Sequence, residues 1–264
     1  MSVTKKIKYA FILLFGSIFF NAASAELKKI VLCTDDNFWY PFIFIKNEQV
    51  QGLHIDIINQ ALITQNYVAE YKSMPWAACQ DAARFGQVDG IATISYDPSR
   101  ATFLMFPKNA ENTAKKSPWR VSQADYVVVT SGQNSAKIEV REGDLFTVPA
   151  PIRLVSSYSL VNDFQQKDIY VEQFSQGEEC YQKLITEKTG SVIDLAEAAL
   201  YYAALPKHAG KLFIHPAPID SKSYYLAFAK QGTVSLQDAE DIWDAVVQVR
   251  EGKAATLTTW LNRY

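Results

Sequence analysis

The sequence predicts an α/β fold made of two similar lobes, and three observations support this prediction. Short β-like runs alternate with helical patterns along most of the chain. The 264 residues are enough for two lobes of about 100 to 150 residues each. A helix–glycine–strand pattern also occurs twice. The composition, which is 48% hydrophobic and 20% charged, excludes a disordered chain or a collagen-like repeat.

The first 25 residues have the pattern of a secretory signal peptide. Lys5, Lys6 and Lys8 form a basic start, residues 9–20 are an uncharged apolar run, and residues 23–25 give the small-x-small cleavage pattern Ala-Ser-Ala. The apolar run is shorter than the roughly 20 residues that span a bilayer. We therefore expect cleavage after Ala25 and export, with an uncleaved anchor as the alternative.

The net charge gives no indication of nucleic-acid binding. Removing residues 1–25 takes away three lysines and no acid, so the formal net charge falls from −2 to −5. Nucleic-acid binders need a clustered basic face. No later stretch of 18 apolar residues occurs in the sequence, so we expect a soluble monomer with no nucleic-acid partner.

The cysteines and histidines predict little chemistry. Cys33, Cys79 and Cys180 allow at most one internal disulfide in an oxidising compartment. We interpret Cys33, in an apolar strand-like run, as a packing residue, which leaves Cys79 with Cys180 as the possible pair. Each of these two is alternatively a small core residue on a helix. The three histidines show no ligand spacing, and we predict no metal or cofactor.

The first half of the chain has a strand–helix–strand start. After Gly52, apolar residues at i, i+3 and i+7 (Ile55, Ile58 and Leu62) predict a helix with one apolar stripe against a sheet. The other elements predicted here are strands at 30–33, 67–71 and 88–94 and a helix at 76–85.

The second half repeats this alternation after a polar connection at 108–122, which we interpret as a loop or a boundary between lobes. Ser175 and Glu178 form a capping-box pattern that predicts a helix through Ile185. The other elements predicted here are strands at 126–130, 152–155, 191–194 and 225–229 and helices at 195–204, 235–250 and 254–261.

The two halves contain the same local order. The helix predicted at 76–85 leads into Gly-Gln-Val-Asp-Gly at 86–90, and a helical pattern at 178–187 leads into Gly-Ser-Val-Ile-Asp at 190–194. Two copies are too few for a repeat array. They favour two similar α/β lobes instead.

A family resemblance rests on five short motifs that occur in order through nearly all of the chain after residue 25. They are Thr34-Asp35-Asp36 with Pro41-Phe42, Gly52-Leu53-His54-Ile55-Asp56-Ile57, Trp76 with Gly86-Gln87-Val88-Asp89-Gly90, Asp97-Pro98-Ser99-Arg100, and Lys230-Gln231-Gly232. With these motifs the chain resembles the bacterial extracellular solute-binding proteins of the polar amino-acid type, family 3, which are periplasmic substrate-binding proteins of ABC transporters.

The resemblance implies a fold and a function. The fold would be the two-lobed periplasmic-binding-protein-like fold of type II, with the ligand cleft between lobe 1 (26–109 plus 225–264) and lobe 2 (110–224). The function would be periplasmic capture of a small polar ligand, an amino acid or related zwitterion, for uptake through a membrane permease.

Two other functions fit the same resemblance. One is a ligand sensor that acts on a membrane receptor, and the other is a dehydratase-like enzyme on the same fold. Fold alone does not fix function. Neither a G-x-S-x-G nor an H-E-x-x-H motif occurs in the sequence, so we expect binding without catalysis.

The carboxylate of such a ligand needs a paired charge in a closed cleft, because an unpaired buried charge costs several kcal/mol. Arg100 offers a bidentate partner. Thr93 and Ser95, two residues apart at a strand end, point their hydroxyls the same way. The resemblance places these three residues at the carboxylate site. The alternative is an exposed arginine in an ordinary salt bridge.

The resemblance assigns the ammonium group of the ligand to Asp194, for which a plain helix N-cap is the alternative role. A predicted turn before a helix contains Ser156, Ser157 and Ser159. The backbone N–H groups of that helix are expected to bind the ligand carboxylate from the opposite lobe. The alternative is that these serines only cap the helix.

The side-chain pocket is predicted to be aromatic, with half of this group expected to serve only in packing. Its predicted lining residues are Phe38, Trp39, Tyr40 and Trp76. Asp36 is predicted to reach a polar or cationic ligand side chain, with Asp35 as the alternative if the loop alignment shifts by one residue.

Overall fold

The structure, a computed structural model, describes residues 26–37, 39–133, 148–156 and 158–252. The predicted signal peptide at 1–25 and the predicted helix at 254–261 lie outside the described residues, as do Phe38 and Ser157.

The elements alternate between strands and helices, as the sequence predicts. Those of the first half are β1 (Lys28–Asp35), β2 (Phe44–Lys46), β3 (Gln49–Gln51), α1 (Leu53–Thr64), β4 (Tyr67–Met74), α2 (Trp76–Arg84), β5 (Gly90–Ser95) and β6 (Leu104–Met105). Those that follow are β7 (Ser122–Ser131), β8 (Ile152–Val155), α3 (Ser159–Gln165), β9 (Val171–Phe174), α4 (Gly177–Glu187), β10 (Ser191–Leu195), α5 (Ala196–Ala204), β11 (Leu212–Ile214), β12 (Asp220–Ala229) and α6 (Leu236–Gly252).

One mixed sheet runs through both halves of the chain, in the order β4-β1-β5-β12-β7-β10-β8-β9. Its two outer parts are parallel: β4, β1 and β5 at one end, and β10, β8 and β9 at the other. The long strands β7 and β12 join these parts and pair antiparallel with each other and with their neighbours. Two parallel α/β units therefore share a central antiparallel ribbon.

The helices cover each half of the sheet with its own core. On the first half, α1 and α6 pack over β1, with Ile58, Leu62 and Ile242 fully buried. On the second half, Tyr181 and Leu184 of α4 are buried against β7 and β10. The apolar stripe predicted from residues 55–62 is therefore the buried face of α1.

The start of α1 depends on Gly52. Its φ of 129° is a conformation that side-chain-bearing residues rarely adopt. A Cβ atom at this position would lie 2.2 Å from the carbonyl oxygen of Phe42. The chain can therefore turn from β3 into α1 against the aromatic loop only with glycine here.

The cysteine pairing differs from the sequence prediction. A disulfide joins Cys33 of β1 to Cys79 of α2, and Cys180 of α4 is a buried free thiol. The Cys79–Cys180 pair is therefore wrong, because α2 packs on β1 in the first half of the sheet whereas α4 packs in the second. Cys33 is buried, as predicted, but it is also a disulfide partner.

The capping box of α4 lies one residue later than predicted. Gln176 is the N-cap, and the carboxylate of Glu179, not Glu178, accepts hydrogen bonds from the backbone N–H groups of Ser175 and Gln176. Glu178 instead accepts from Lys207 at 2.6 Å. The pattern predicted the helix, but two adjacent glutamates made the capping residue ambiguous.

Candidate functional site

A cavity of about 60 Å³ lies where the two halves of the sheet meet. Its wall is mostly aromatic and hydroxyl-bearing, with one acid and one arginine. The lining residues are Thr34, Asp35, Asn37, Trp39, Ile43, Trp76, Thr93, Ser95, Arg100, Tyr126, Tyr158, Ser159, Leu195 and Tyr224.

Arg100 is the cation of the cavity wall, although it is only 4% exposed. Its Nη1 atom donates to the carbonyl oxygen of Ser95 at 3.0 Å and to Ser95 Oγ at 2.9 Å. These bonds direct the guanidinium toward the end of β5. Burial lowers the pKa of Arg100 from its usual value, but arginine remains charged at physiological pH.

The end of β5 adds two hydroxyls beside this guanidinium. Thr93 and Ser95 are both buried and lie on the same face of the strand. Thr93 Oγ1 has no hydrogen-bond partner within the described part of the chain, and a buried hydroxyl without a partner is costly. The strand therefore presents a hydroxyl ready to bond an oxygen-bearing ligand.

Trp76 begins α2 and covers the arginine. The guanidinium carbon of Arg100 lies 5.5 Å from the centre of the Trp76 ring, within the range of a cation–π contact. The Arg100 guanidinium and the Trp76 ring are therefore already in contact without a bound ligand.

The end of β1 supplies the acid of the cavity. The Asp35 carboxylate accepts hydrogen bonds from the backbone N–H of Asn37 at 3.1 Å and from its Nδ2 at 3.0 Å. Burial raises the pKa of Asp35 to about 6, against the opposing effect of these bonds. Asp35 is therefore a carboxylate whose charge a cationic ligand group would stabilise.

Trp39 and two tyrosines form the wall near the central ribbon. The ring of Trp39 lies 4.9 Å from that of Tyr224 and 5.3 Å from that of Phe42. The hydroxyls of Tyr126 on β7 and Tyr224 on β12 are 2.7 Å apart. Both tyrosines are buried, and burial raises the pKa of Tyr224 to about 12, so its hydroxyl stays protonated.

The second half closes the cavity with α3 and the end of β10. Ser159, the first residue of α3, has its Oγ 3.1 Å from Ser95 Oγ of the first half. Asn162 of the same helix donates to Asp97 at 3.5 Å. The two halves therefore contact each other at the cavity.

Asp194 lies behind this wall and does not line the cavity. Its carboxylate accepts from the Tyr181 hydroxyl at 3.0 Å and from the Leu195 N–H at 2.8 Å. Burial raises the pKa of Asp194 to about 7, while these two hydrogen bonds act in the opposite direction. It is a buried carboxyl next to a lining residue, Leu195.

Of the residues predicted for the site, the structure brings together Trp39, Trp76, Thr93, Ser95 and Arg100. Asp36 is half-buried but does not line the cavity, and its neighbour Asp35, the alternative in the sequence prediction, does. Asp194 is adjacent to the wall, and Tyr40 is not part of it. Phe38 and Ser157 lie outside the described residues.

Sequence reasoning missed Tyr126, Tyr158 and Tyr224. Each lies in or beside an apolar strand run, where an aromatic residue is typical of core packing. A possible signal was that Tyr126 and Tyr224 belong to the strands flanking the predicted lobe boundaries, where the cleft had to lie.

Two negative observations apply to the described residues. They contain no group of three or more His, Cys, Asp or Glu side chains placed to hold a metal ion. Among their helices, none is long and apolar enough to cross a lipid bilayer.

Solved structures similar to this chain include a sensor domain and amino-acid-binding proteins. A histidine kinase sensor domain with similarity to periplasmic binding proteins is 13% identical, with a TM-score of 0.71 over 89% of this chain and 97% of that chain. An ancestral arginine-binding protein bound to arginine is 15% identical, with a TM-score of 0.68 over 90% and 99% of the two chains.

The ligand-binding core of GluR0 from Nostoc punctiforme, in complex with L-glutamate, is 16% identical, with a TM-score of 0.65 over 88% of this chain and 98% of that chain. The likenesses confirm the two-lobed α/β fold of the periplasmic-binding-protein type, with its cleft between the lobes. At these identities they show the fold alone.

The family of the chain is shown by its sequence. Residues 30–263 match the bacterial extracellular solute-binding proteins, family 3, and the chain belongs to that family. The resemblance seen in the five motifs is thereby confirmed. No curated protein matches the chain.

Proposed function

We propose that this protein captures a small carboxylate-bearing solute, an amino acid or related zwitterion, in the periplasm and delivers it to the permease of an ABC transporter. The observation that carries the proposal is Arg100, a buried guanidinium in the wall of an interlobe cavity, flanked by the hydroxyls of Thr93 and Ser95. A buried cation beside hydroxyl donors suits an anionic ligand group.

The carboxylate of the ligand would bind the Arg100 guanidinium. Arg100 supplies the charge, while Thr93 and Ser95 supply hydroxyl donors on one side of it. Trp76 covers this region and keeps water out, which strengthens every electrostatic contact inside. The end of β5 thus serves as the anion half of the site.

The positive group of the ligand has two candidate partners. Asp194 remains the predicted partner of the ammonium group, although only its neighbour Leu195 lines the cavity in the described conformation. Asp35 already faces the cavity and would bind either the ammonium or a cationic side chain. Asparagine variants of each residue separate the two assignments.

Binding would follow a hinge motion. The small cavity and the Ser95–Ser159 contact describe a conformation in which the halves meet, so capture needs an open state. The antiparallel strands β7 and β12 are the two connections that would bend. Small-angle scattering of the protein with and without a binding solute should show compaction on binding.

A second candidate role is ligand sensing for a membrane receptor, and the fold of the histidine kinase sensor domain favours it. Deleting the gene distinguishes the two roles. Lost uptake of the radiolabelled solute supports transport, whereas normal uptake with a lost transcriptional response supports sensing.

The direct test is a thermal-shift screen with the twenty common L-amino acids. A ligand at about 100 times its Kd stabilises the folded state by roughly 2.7 kcal/mol, a shift of several degrees. R100A should lose the response to every hit. The matched control is R84A, because Arg84 is an exposed residue of α2 paired with Asp81. A hit that R100A binds as well as the parent does would contradict the proposal, as would no response to any of the twenty.

A further inference from the structure

A chain of hydrogen bonds connects a second buried cation to the anion half of the site. Lys222 lies on β12, is 9% exposed, and does not line the cavity. Its Nζ donates to Ser159 Oγ at 3.0 Å, and Ser159 Oγ lies 3.1 Å from Ser95 Oγ. Arg100 donates to the same Ser95 Oγ at 2.9 Å. The chain Lys222–Ser159–Ser95–Arg100 thus has a cation at each end and two hydroxyls between.

The two cations determine which atoms donate and which accept in this chain of hydrogen bonds. A lysine ammonium and a guanidinium only donate, so both serine oxygens are acceptors for a cation. The two hydroxyls have one hydrogen each, and the bond between them uses one of these. The other hydrogen is left to donate to a further acceptor. The pair can therefore offer a donor to the cavity, which Ser95 and Ser159 both line.

Lys222 is held in place by acids on its other side. It forms ion pairs with Asp163 of α3 and, at 3.7 Å, with Asp220 of β12. The Tyr126 ring centre lies 6.0 Å from its Nζ. Because Ser159 and Asp163 are one turn apart on α3, a single ammonium positions both residues of that helix.

We propose that Lys222 is a positioning and specificity-determining residue, which acts through Ser159 to make the serine pair a donor and so selects a carboxylate over a neutral amide. The inference rests on the proposed function, since it requires a carboxylate beside Arg100. Without Lys222, Ser159 Oγ loses its cationic donor and the pair becomes free to accept from an amide NH2. The preference for the acid then falls, even though Lys222 never touches the ligand.

The test compares the affinities of amino acids and of their C-terminal amides, which differ only at the group in question. Tryptophan fluorescence titrations use the twenty common L-amino acids and the twenty amides as probes, since Trp39 and Trp76 line the cavity. We expect K222M to lower the acid-to-amide affinity ratio by about tenfold or more, and K222R to keep it within about threefold of the parent. The matched control is K207M, because Lys207 pairs with Glu178 at the surface and should leave the ratio unchanged.

The outcomes separate this inference from the proposed function. Equal losses for acid and amide in K222M, or no change, overturn the role of Lys222 while leaving Arg100 to be judged by R100A. If no probe binds the parent protein, both proposals fail. If K222M lacks a cooperative melting transition, S159A tests the same chain, because it keeps the Lys222–Asp163 pair and removes the hydroxyl. An unchanged acid-to-amide ratio in S159A overturns the inference.

Discussion

The hydroxyls of Tyr126 and Tyr224 lie 2.7 Å apart and join β7 to β12 in the wall of the cavity. The two strands are central neighbours in the sheet and join its two parallel parts, and both rings are buried. The pair therefore belongs at once to the ribbon that would bend and to the surface that a ligand would contact.

Removing one of these two hydroxyls should cost more than removing both. Y224F leaves the buried Tyr126 hydroxyl without its partner, so we expect a loss of about 1 to 3 kcal/mol in the free energy of unfolding. Y126F/Y224F removes both polar groups and should lie closer to the parent than Y224F alone. Urea unfolding of Y126F, Y224F and the double variant measures the three losses in the free energy of unfolding. A loss in the double variant equal to the sum of the two single losses would contradict the prediction.

The carboxylate and ammonium partners should differ in their effects on binding. R100A should weaken binding of an amino acid found in the thermal-shift screen by about 2 to 5 kcal/mol, because it leaves a buried carboxylate without a charge partner. D194N and D35N each remove one candidate partner of the positive group. Calorimetry on folded variants decides between them. If D194N and R100A both bind within about threefold of the parent, the predicted clamp is wrong.

The buried carboxyl of Asp194 should make stability depend on pH. Its pKa in the folded protein is about 7, above the value near 3.9 of an unfolded chain. The folded state therefore holds more protons in this window, and this residue's contribution lowers the free energy of unfolding as pH rises from about 4 to 7. For one proton, the free energy of unfolding changes by at most about 1.4 kcal/mol per pH unit.

D194N should remove that contribution. Its stability relative to the parent should therefore rise between pH 5 and pH 8, as measured by urea unfolding at unit intervals. D81N is the control, because Asp81 is exposed on α2. A constant difference between D194N and the parent across this range would show that Asp194 is not protonated in the folded protein.

The Cys33–Cys79 disulfide should contribute substantially to stability. It closes a loop of 46 residues by sequence separation, and bridges of this kind typically contribute about 2 to 4 kcal/mol. C33A/C79A should lose this amount in urea unfolding, whereas C180A loses only the packing of one small side chain. Thiol titration of the denatured, unreduced protein should find a single free thiol, and three would rule the bridge out.

The mature protein should begin near Glu26. Cleavage after Ala25 follows from the signal-peptide pattern of the first 25 residues. Intact mass of the exported protein measures it. A mass that includes residues 1–25, together with membrane fractionation, would show an uncleaved anchor instead.

The part of the site that follows a local pattern was predictable. Thr93, Ser95 and Arg100 lie within eight residues at one strand end, and the family resemblance implied that these three residues share one site. Contacts between distant segments were not. Tyr126 and Tyr224 are 98 residues apart, and only the pairing of β7 with β12 brings them together.

The cysteine pairing was wrong for the same reason, because it also depends on contacts between distant segments. Three cysteines allow three different pairs, and only the packing of α2 on β1 selects Cys33 with Cys79. Asp35, the last residue of β1, lines the cavity and Asp36 does not, so the choice between these two neighbouring aspartates depends on where the strand ends. The predicted lobe boundary between residues 224 and 225 falls inside β12, which is one continuous strand. The exact boundaries of the lobes therefore remain a prediction.

The position of β12 between β5 and β7 also determines how the protein should respond to a protease. A single cut in the polar connection between β6 and β7 would yield an amino-terminal piece carrying β1 to β6 and a carboxy-terminal piece carrying β7 to α6. The second piece still supplies β12 and α6 to the core of the first. The nicked protein should therefore migrate as one particle in gel filtration and as two bands after denaturation, as a self-assembling pair of fragments.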